Sequence, residues 1–577
     1  MCIIMQITIV IVSIITLIVT FIAYLLPKKL SAGLLLITGS SLIVYLLMSH
    51  DFIDAWTPIS MMLVTFFSFS SVFDRDKRSK RQQLKQKIPS VNYEIVELNR
   101  EAKRIIMDIV LTGVIGGISL LCLLFVPDSY LTLKYLLVLY LLMMMPQFLN
   151  RLADYCFTTV YMLPEQQVII IISLFEAREL PMDELSSIRK ESEPDVLRLH
   201  PGFTFLVEQK DYTFAFSTVL CLSFLGETIY LTPADSERWF EHWQNFMKQD
   251  QAKIEKPILP IWHISNIKRL LWKGYFAIAV KGIAAYTGLL IILTWLHAPW
   301  YAIIIVVFLW WLFNMYIADR MLINASDAKK VTAGEIYDIA QEIFLKAGII
   351  GTRLYVIDSS VYNGLATGMH IGKGTIMLTT ATTKLSKRTV EAILAHEAIH
   401  IKKRDVMINQ IGRMAMMAVL GLGIYLFFDE LKFLTDHLIL FIVIIYIIML
   451  SFPISLSVIA QWTEIRADYL GATLLGEGSM QMADGLKELA LAQDKATEQG
   501  LKYSTLDEKS LHSRSTVERG NWFVRFFEFQ FLPHPPLYWR IQQLRKEQDW
   551  SRTWKSWIAA RFKESLPDFL RNKSNGL

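Results

Sequence analysis

The chain reads as a polytopic α-helical membrane protein of about nine spans that carries a mainly α soluble domain and a small α+β one. Three observations predict this class. Apolar residues make up 53% of the 577, charged residues 19%, and mean hydropathy is +0.37, a balance foreign to soluble enzymes. Apolar stretches with at most one charged residue each recur at 3–25, 32–49, 55–73, 106–126, 131–148, 276–296, 299–317, 411–428 and 438–460, each near the roughly 20 residues a helix needs to cross hydrocarbon. Between them lie two longer segments, 150–255 and 325–410, whose patterning is that of folded soluble structure.

The Lys/Arg bias of the connections sets the orientation. Lys28 and Lys29 follow the first span and nothing basic precedes it, so it does not read as a signal peptide. The connection after 55–73 holds Arg75, Lys77, Arg78, Lys80, Arg81, Lys85 and Lys87, and the segments around Lys268-Arg269 and Lys402-Lys403-Arg404 are also basic. The turns at Pro127-Asp128, His297-Ala298-Pro299 and Asp429-Glu430 are poor in both residues. All connections agree on a multi-pass cell-membrane protein with its N-terminus outside and its C-terminus and both soluble segments in the cytosol. The net charge of +5 follows from this bias and gives no case for a nucleic-acid partner, whereas the lipid bilayer is a partner by construction. The four cysteines, Cys2, Cys122, Cys156 and Cys221, are scattered and imply neither a disulfide framework nor a thiolate metal site.

Five domains follow. Residues 1–149 form a five-span membrane region with a basic cytosolic loop at 74–104. Residues 150–255 form a β-rich cytosolic domain with strands expected at 157–162, 167–174, 203–208, 212–222 and 227–231. The β-branched run at 168–172 is too short to span a bilayer. A helix is expected to follow, with Thr232 as N-cap, Pro233 and Asp235 in its first turn, and Trp239, Phe240, Trp243, Phe246 and Met247 on its apolar face. Strands closed by one amphipathic helix resemble a bacterial pleckstrin-homology (PH)-like domain; a generic α+β insert is the other reading. Two further spans occupy 256–324. A soluble domain at 325–545 is interrupted by the spans at 411–428 and 438–460. It opens with a helix at 333–347, a strand at 353–357 and a hairpin over 363–380, then a helix capped by Ser386. The polar stretch 494–520 reads as a mobile loop or lid. Residues 546–577 are a basic amphipathic tail whose Trp550, Trp554, Trp557 and Phe562 fall at helical spacing, either lying on the anionic leaflet or packing on the preceding domain.

The chemistry concentrates in His396-Glu397-Ala398-Ile399-His400, which lies in a segment free of helix breakers. Residues four apart share a helix face, so both imidazoles can reach one metal ion, with Glu397 beside them to take a proton from water. A catalytic zinc takes three protein ligands and keeps one position open. Glu464 is the strongest candidate for the third, because it lies just past the last span on the same side of the membrane as the histidines. Asp468, one turn further, shares its face and is placed either to orient a ligand histidine or to hold a structural cation.

Four motifs in order resemble the HtpX-type membrane zinc metallopeptidases, relatives of the CAAX prenyl proteases. They are Asn363-Gly364-Leu365-Ala366-Thr367-Gly368, the histidine motif, Glu464-x-x-Ala467-Asp468, and His534-Pro535-Pro536-Leu537 followed by Arg540. The resemblance covers about 325–545 and implies a zincin-type, gluzincin-like protease domain holding one Zn2+ per chain. It implies His396, His400 and Glu464 as metal ligands, Glu397 as general base and then acid, and Asp468 paired with Arg540. His534 would stabilise the oxyanion, although a histidine between prolines also serves to shape a turn. Asp405, five residues after His400, matches the family's spacing for a supporting carboxylate. Thr375, Ile376, Met377, Leu378 and Thr379 alternate after a glycine turn and are expected to form an edge strand that binds a protein or peptide substrate by strand addition. The implied function is an integral-membrane zinc endopeptidase acting on membrane or cytosol-facing proteins, in quality control. CAAX-type prenyl-peptide processing and a regulatory sensor built on the zinc domain are the alternatives. Nothing in the sequence sets the oligomeric state.

Overall fold

The computed structural model describes residues 28–48, 74–125, 148–200, 209–246, 257–277, 296–367, 374–427, 438–506, 514–546 and 549–568, with isolated positions elsewhere. It divides into two compact units, 1–303 with 500–511, and 304–499 with 512–577. Of the expected spans, those at 55–73, 131–148 and 276–296 and most of 3–25 lie outside the described residues. Helices Lys28–Met48 (α1) and Ala102–Phe125 cover those expected at 32–49 and 106–126. Among the described residues, three helices are long and apolar enough to cross a membrane, within Trp300–Ala325, Asp405–Gly423 and Tyr446–Ala472.

The first unit is built on two four-stranded sheets. One runs in the order β1-β2-β3-β4 (Glu94–Val96, Thr159–Leu163, Val168–Ile172, Ala177–Pro181) and is antiparallel throughout. The other runs β5-β7-β8-β6 (Leu185–Glu191, Val219–Phe224, Glu227–Leu231, Gln209–Tyr212), with β6 and β8 parallel. The run Val168–Ile172 is β-branched at every position because both its faces are covered. Ile169 and Ile171 join the main core with Leu222, Ile229, Trp239 and Trp243, while Val168, Ile170 and Ile172 meet Leu84 and Ile88.

Leu84 belongs to a helix, Arg75–Lys87 (α2), in the stretch expected to be a basic loop. That stretch also supplies β1, so the β-rich domain draws in residues ahead of 150. Hydropathy hides α2 because it has a single large apolar residue; three of its lysines are held by carboxylates on and beside β4. Lys80 and Lys87 each lie 2.7 Å from Glu179, and Lys77 lies 3.6 Å from Glu176. Strands β4 and β5 escape the alternation rule for a similar reason. Arg178 points inward and is only 2% exposed, satisfied by Glu227 at 2.6 Å, Glu176 at 3.2 Å and the Tyr212 hydroxyl at 3.3 Å. Ala102–Phe125 (α3) follows β1 in the chain. The closing helix Ser236–Gln244 (α4) is capped by Asp235, not Thr232, whose hydroxyl instead accepts from the Phe214 N–H. A further helix, Ile264–Phe276 (α5), ends the described part of this stretch. The strand expected at 203–208 lies almost wholly outside the described residues. Tyr503, in the polar stretch expected to be mobile, is buried in this core, edge-to-face with Phe224.

The second unit opens with the apolar helix Trp300–Ala325 (α6) and the helix Glu335–Ala347 (α7), whose ends are set by glycines at positive φ, Gly334 and Gly348. Its sheet has the order β11-β12-β10-β9 (Gly364–Thr367, Thr375–Thr379, Arg353–Ile357, Lys329–Lys330). This corrects the expectation for Thr375, Ile376, Met377, Leu378 and Thr379. They form a strand, but an interior one, paired in parallel with β10 and antiparallel with β11 and buried at all five positions. A strand bonded on both sides offers no ladder to a substrate. The edge is β11.

Against the sheet pack Lys387–Lys403 (α8) and α7, through Ile339, Ile343, Phe344, Ile376, Leu378, Val390, Ile393 and Leu394. The chain continues through Asp405–Leu426 (α9), Leu438–Ala472 (α10) and Gly478–Ser504 (α11), and α11 replaces the first part of the expected loop at 494–520. Three short helices follow, Trp522–Gln530 (α12), Leu537–Arg545 (α13) and Trp550–Lys563 (α14). The tail packs on the domain. Trp557 is buried with Ile465, Phe529 and Trp539, and Arg561 donates to Gln461 at 2.8 Å and Ser457 at 3.0 Å.

Candidate metal centre

Helix α8 starts where Ser386 accepts from the Thr389 N–H, as expected. Lys387 and Arg388 in its first turn oppose the helix dipole, and Glu488 of α11 answers them. Its carboxylate accepts from the Ser386 hydroxyl at 2.6 Å, the Ser386 N–H at 3.0 Å and the Thr389 hydroxyl at 2.5 Å. The helix ends at Arg404, in the left-handed region at φ 56°. That turn starts α9 at once and folds Asp405 back onto His400, with Nδ1 2.8 Å from Oδ2.

The 35-residue α10 carries the rest of the site. Its N-terminal part is the apolar span expected at 438–460, and the same helix continues without a break to Glu464 and Asp468, which meet α8. His396 Nε2 and His400 Nε2 are 3.0 Å apart, and the Glu464 carboxylate lies 3.4 Å from the first and 3.3 Å from the second. Metal–ligand bonds of about 2.0–2.1 Å in a tetrahedron give ligand–ligand edges of roughly 3.3–3.4 Å. Outside this trio, His396 Nδ1 lies 2.9 Å from Asp468 Oδ1, with the carboxylate off the line of the N–H bond. Asp468 is gripped by Arg540 of α13 through two bonds of 2.7 Å. Burial opposes the charge on Arg540, but Asp468 more than compensates and raises its pKa. His534 is 63% exposed and its Nδ1 lies 2.9 Å from Glu464 Oε2.

This donor set fits a divalent cation. With each Nδ1 facing a carboxylate, both Nε2 lone pairs point into one space beside a third carboxylate. That arrangement repels itself unless positive charge sits between. The titration behaviour has the same cause. Burial lowers the histidine pKa values, yet Asp405 and Glu464 lift His400 well above the ordinary value, and Asp468 and Glu464 raise His396.

The structure therefore brings together His396, Glu397, His400, Glu464, Asp468, Arg540, Asp405 and His534, and leaves 375–379 apart as an interior strand. Sequence reading missed two participants, Arg466 and Glu488, and the reason for a third, Gly364. Arg466 pairs with Asp405 and lies 4.3 Å over the Trp462 ring. Its only sequence signal is its place between Glu464 and Asp468. Glu488 has no sequence signal. Gly364 was visible in its motif, but its reason is steric. A Cβ there would sit 2.8 Å from Ile393 Cγ2 and 3.4 Å from Glu397 Oε1, so the bare backbone lets the edge strand lie against Glu397.

Gly471 performs a related service for α10. A Cβ there would lie 3.2 Å from His396 N and from Ala395 C and 2.8 Å from Met482 Cε. Gly471→Val is expected to push α10 away from α8, to cost about 1–3 kcal/mol of stability by overpacking, and to weaken metal binding. Melting curves and a zinc competition titration on the same sample measure both, and wild-type values in both would refute the packing argument.

With the geometry in place, comparison with known proteins defines the class. Residues 330–548 match Peptidase family M48 and residues 159–247 match a Bacterial PH domain. Over residues 330–548 the chain thus resembles the M48 peptidases, and over 159–247 the bacterial PH domains. Over 120 residues it is 30% identical to the Protease HtpX homolog of Burkholderia thailandensis and 29% identical to that of Burkholderia mallei. These matches cover 20% of this chain and 42% of each relative, so the chain spans about two fifths of the length of the curated relatives it matches. The crystal structure of S. mikatae Ste24p is similar over 48% of this chain and 65% of that one, at 18% identity and a TM-score of 0.33.

Proposed function

We propose that the protein is an integral-membrane, zinc-dependent endopeptidase that hydrolyses peptide bonds of membrane or cytosol-facing proteins, in a quality-control role. The observation that carries this reading is the convergence of His396 Nε2, His400 Nε2 and a Glu464 oxygen within 4.8 Å of one another, with Glu397 on the same helix. A zinc ion held by these three groups supplies Lewis acidity, polarising a carbonyl and making water acidic near neutral pH. The chain's own residues do the rest. Glu397 takes the proton from the attacking water and returns it to the leaving amine. His534, at the exposed mouth, donates to the developing oxyanion. Asp405 and Asp468 hold the two imidazoles in register, and Arg540 holds Asp468. An extended substrate backbone pairs with β11, whose Gly364 brings it beside Glu397; broad side-chain tolerance follows from main-chain recognition.

The placement of the site supports substrates at or near the bilayer. Glu464 stands on a helix that is apolar from Leu438 onward, so the site lies within a few helical turns of the hydrocarbon. The charge bias of the connections argues for the cytosolic face. The test is reconstitution of the full chain in lipid with an unfolded protein such as casein. Cleavage is expected, abolished by chelation and restored by adding zinc back to the stripped protein. Stripped protein that bound zinc again yet cut neither casein nor a membrane-anchored unfolded segment would sink the proposal.

A further inference from the structure

The two histidines of the candidate metal centre are each backed by a carboxylate, and the two backings are built alike. On one side Arg540 grips Asp468 through two bonds of 2.7 Å, and Asp468 faces His396 Nδ1. On the other, Asp405 faces His400 Nδ1 at 2.8 Å through Oδ2, and its Oδ1 accepts from Arg466 Nη2. Arg466 occupies an unassigned position of the motif Glu464-x-x-Ala467-Asp468, so no motif gives it a role.

Asp405 needs that second partner. It is only 2% exposed, and a carboxylate buried against one imidazole would keep an oxygen unsatisfied and stay free to turn about its Cβ–Cγ bond. With Oδ1 tied to Arg466, the carboxylate plane is fixed and Oδ2 is aimed at Nδ1. Lys402, Lys403 and Arg404 are close in sequence but exposed, and among the described residues none of them pairs with Asp405.

Arg466 is itself held from the other side. Its guanidinium makes one bond to Asp405, and its Nε has no partner among the described residues. What fixes it is the Trp462 ring, one helical turn back on α10 and 4.3 Å from the guanidinium carbon. Trp462 in turn meets Trp550, the first residue of α14, at 6.3 Å, and Trp550 leans on Tyr469 at 5.7 Å. Contacts thus run without a gap from the head of α14 to the His400 ring, which gives the Trp-rich tail a task beyond covering α10. We propose that Arg466 is a positioning residue of the metal centre: through Asp405 it sets the orientation of the His400 ring, and the Trp462–Trp550 pair holds it at that post. The proposal rests on the reading of His396, His400 and Glu464 as metal ligands.

The test reads the metal directly. Full-length wild type, Arg466→Met, Arg466→Ala and Trp550→Ala are compared by zinc competition titration, by the visible absorption of the cobalt(II)-loaded protein and by melting temperature. Arg466→Met keeps an unbranched stem on Trp462 and removes the charge and the bond. It should weaken zinc binding about tenfold, the lower end of the cost of losing a group that supports a ligand. It should also shift the cobalt bands, which report ligand geometry and not the fold. Millimolar guanidinium should restore zinc affinity to Arg466→Ala, and urea at the same concentration should not. Trp550→Ala should weaken zinc in the same direction by less; wild-type affinity there removes the tail from the support. Wild-type zinc affinity with an unchanged cobalt spectrum in Arg466→Met overturns the proposal. So do Arg466 variants that melt early and gain nothing from guanidinium, since they mark Arg466 as a tie in the fold. A wild type that takes up neither zinc nor cobalt overturns the metal reading itself, a failure distinct from wild-type binding by Arg466→Met.

Discussion

Purified Glu397→Gln protein is expected to bind zinc as the wild type does and to lose hydrolysis almost completely. Glu397 follows His396 on α8 and is 8% exposed, with its carboxylate turned towards Gly364 of the edge strand. None of the three atoms that converge on the metal position belongs to it. Glutamine keeps the size and the hydrogen-bonding reach of glutamate, so packing against Ile393 and β11 is retained and the melting temperature should not move. What glutamine cannot do is accept the proton of water and pass it to an amine. General acid–base steps of this kind contribute typically 10²–10⁴-fold, so kcat/KM on casein should fall by at least about a hundredfold, carried by kcat. Metal content measured on the same preparation separates loss of the base from loss of the ion. A variant that retained zinc and cut at the wild-type rate would remove Glu397 from the mechanism.

The parts of this site that the sequence made legible are those governed by local geometry or by the side of the membrane. His396 and His400 needed only the helical repeat, and Glu464 needed only the topology that returns the chain to the same face after two spans. Ser386 was readable as a cap because capping is a property of a few adjacent residues. The rest depends on which distant elements meet. Alternation marked 375–379 as a strand but carries no information on strand order, and β11 and β10 flank it on both sides. The basic stretch 75–87 looked like a loop because its partners, Glu176 and Glu179, lie about ninety residues on. Arg178 broke the apolar pattern of β4 because it is buried as an ion and satisfied by Glu227. Residues 494–504 lacked an apolar period, yet they continue α11, where one deep anchor, Tyr503, replaces a stripe. Propensity and pattern report each segment's own chemistry; charge partners and neighbouring strands belong to the fold.

A graded pair of variants distinguishes the residues that hold the ion from those that aim the holders. Glu464→Ala is expected to lose stoichiometric zinc, because the two imidazoles left 3.0 Å apart cannot complete a three-ligand set. It also removes the negative charge 3.4 Å from Arg540, leaving that guanidinium with Asp468 as its carboxylate partner beside the site, which further disfavours a dication. Asp468→Asn should behave differently. Asp468 reaches His396 at Nδ1, the nitrogen on the far side of the ring from the one that converges on His400, so it acts on the orientation and basicity of a ligand. Removal of such a supporting group costs about 10–100-fold in metal affinity while leaving the site able to fill at excess zinc. Activity of Asp468→Asn should therefore recover as zinc is raised, and that of Glu464→Ala should not. If the two variants lost zinc equally and neither recovered, Asp468 would be a ligand in its own right and the three-ligand assignment would fall.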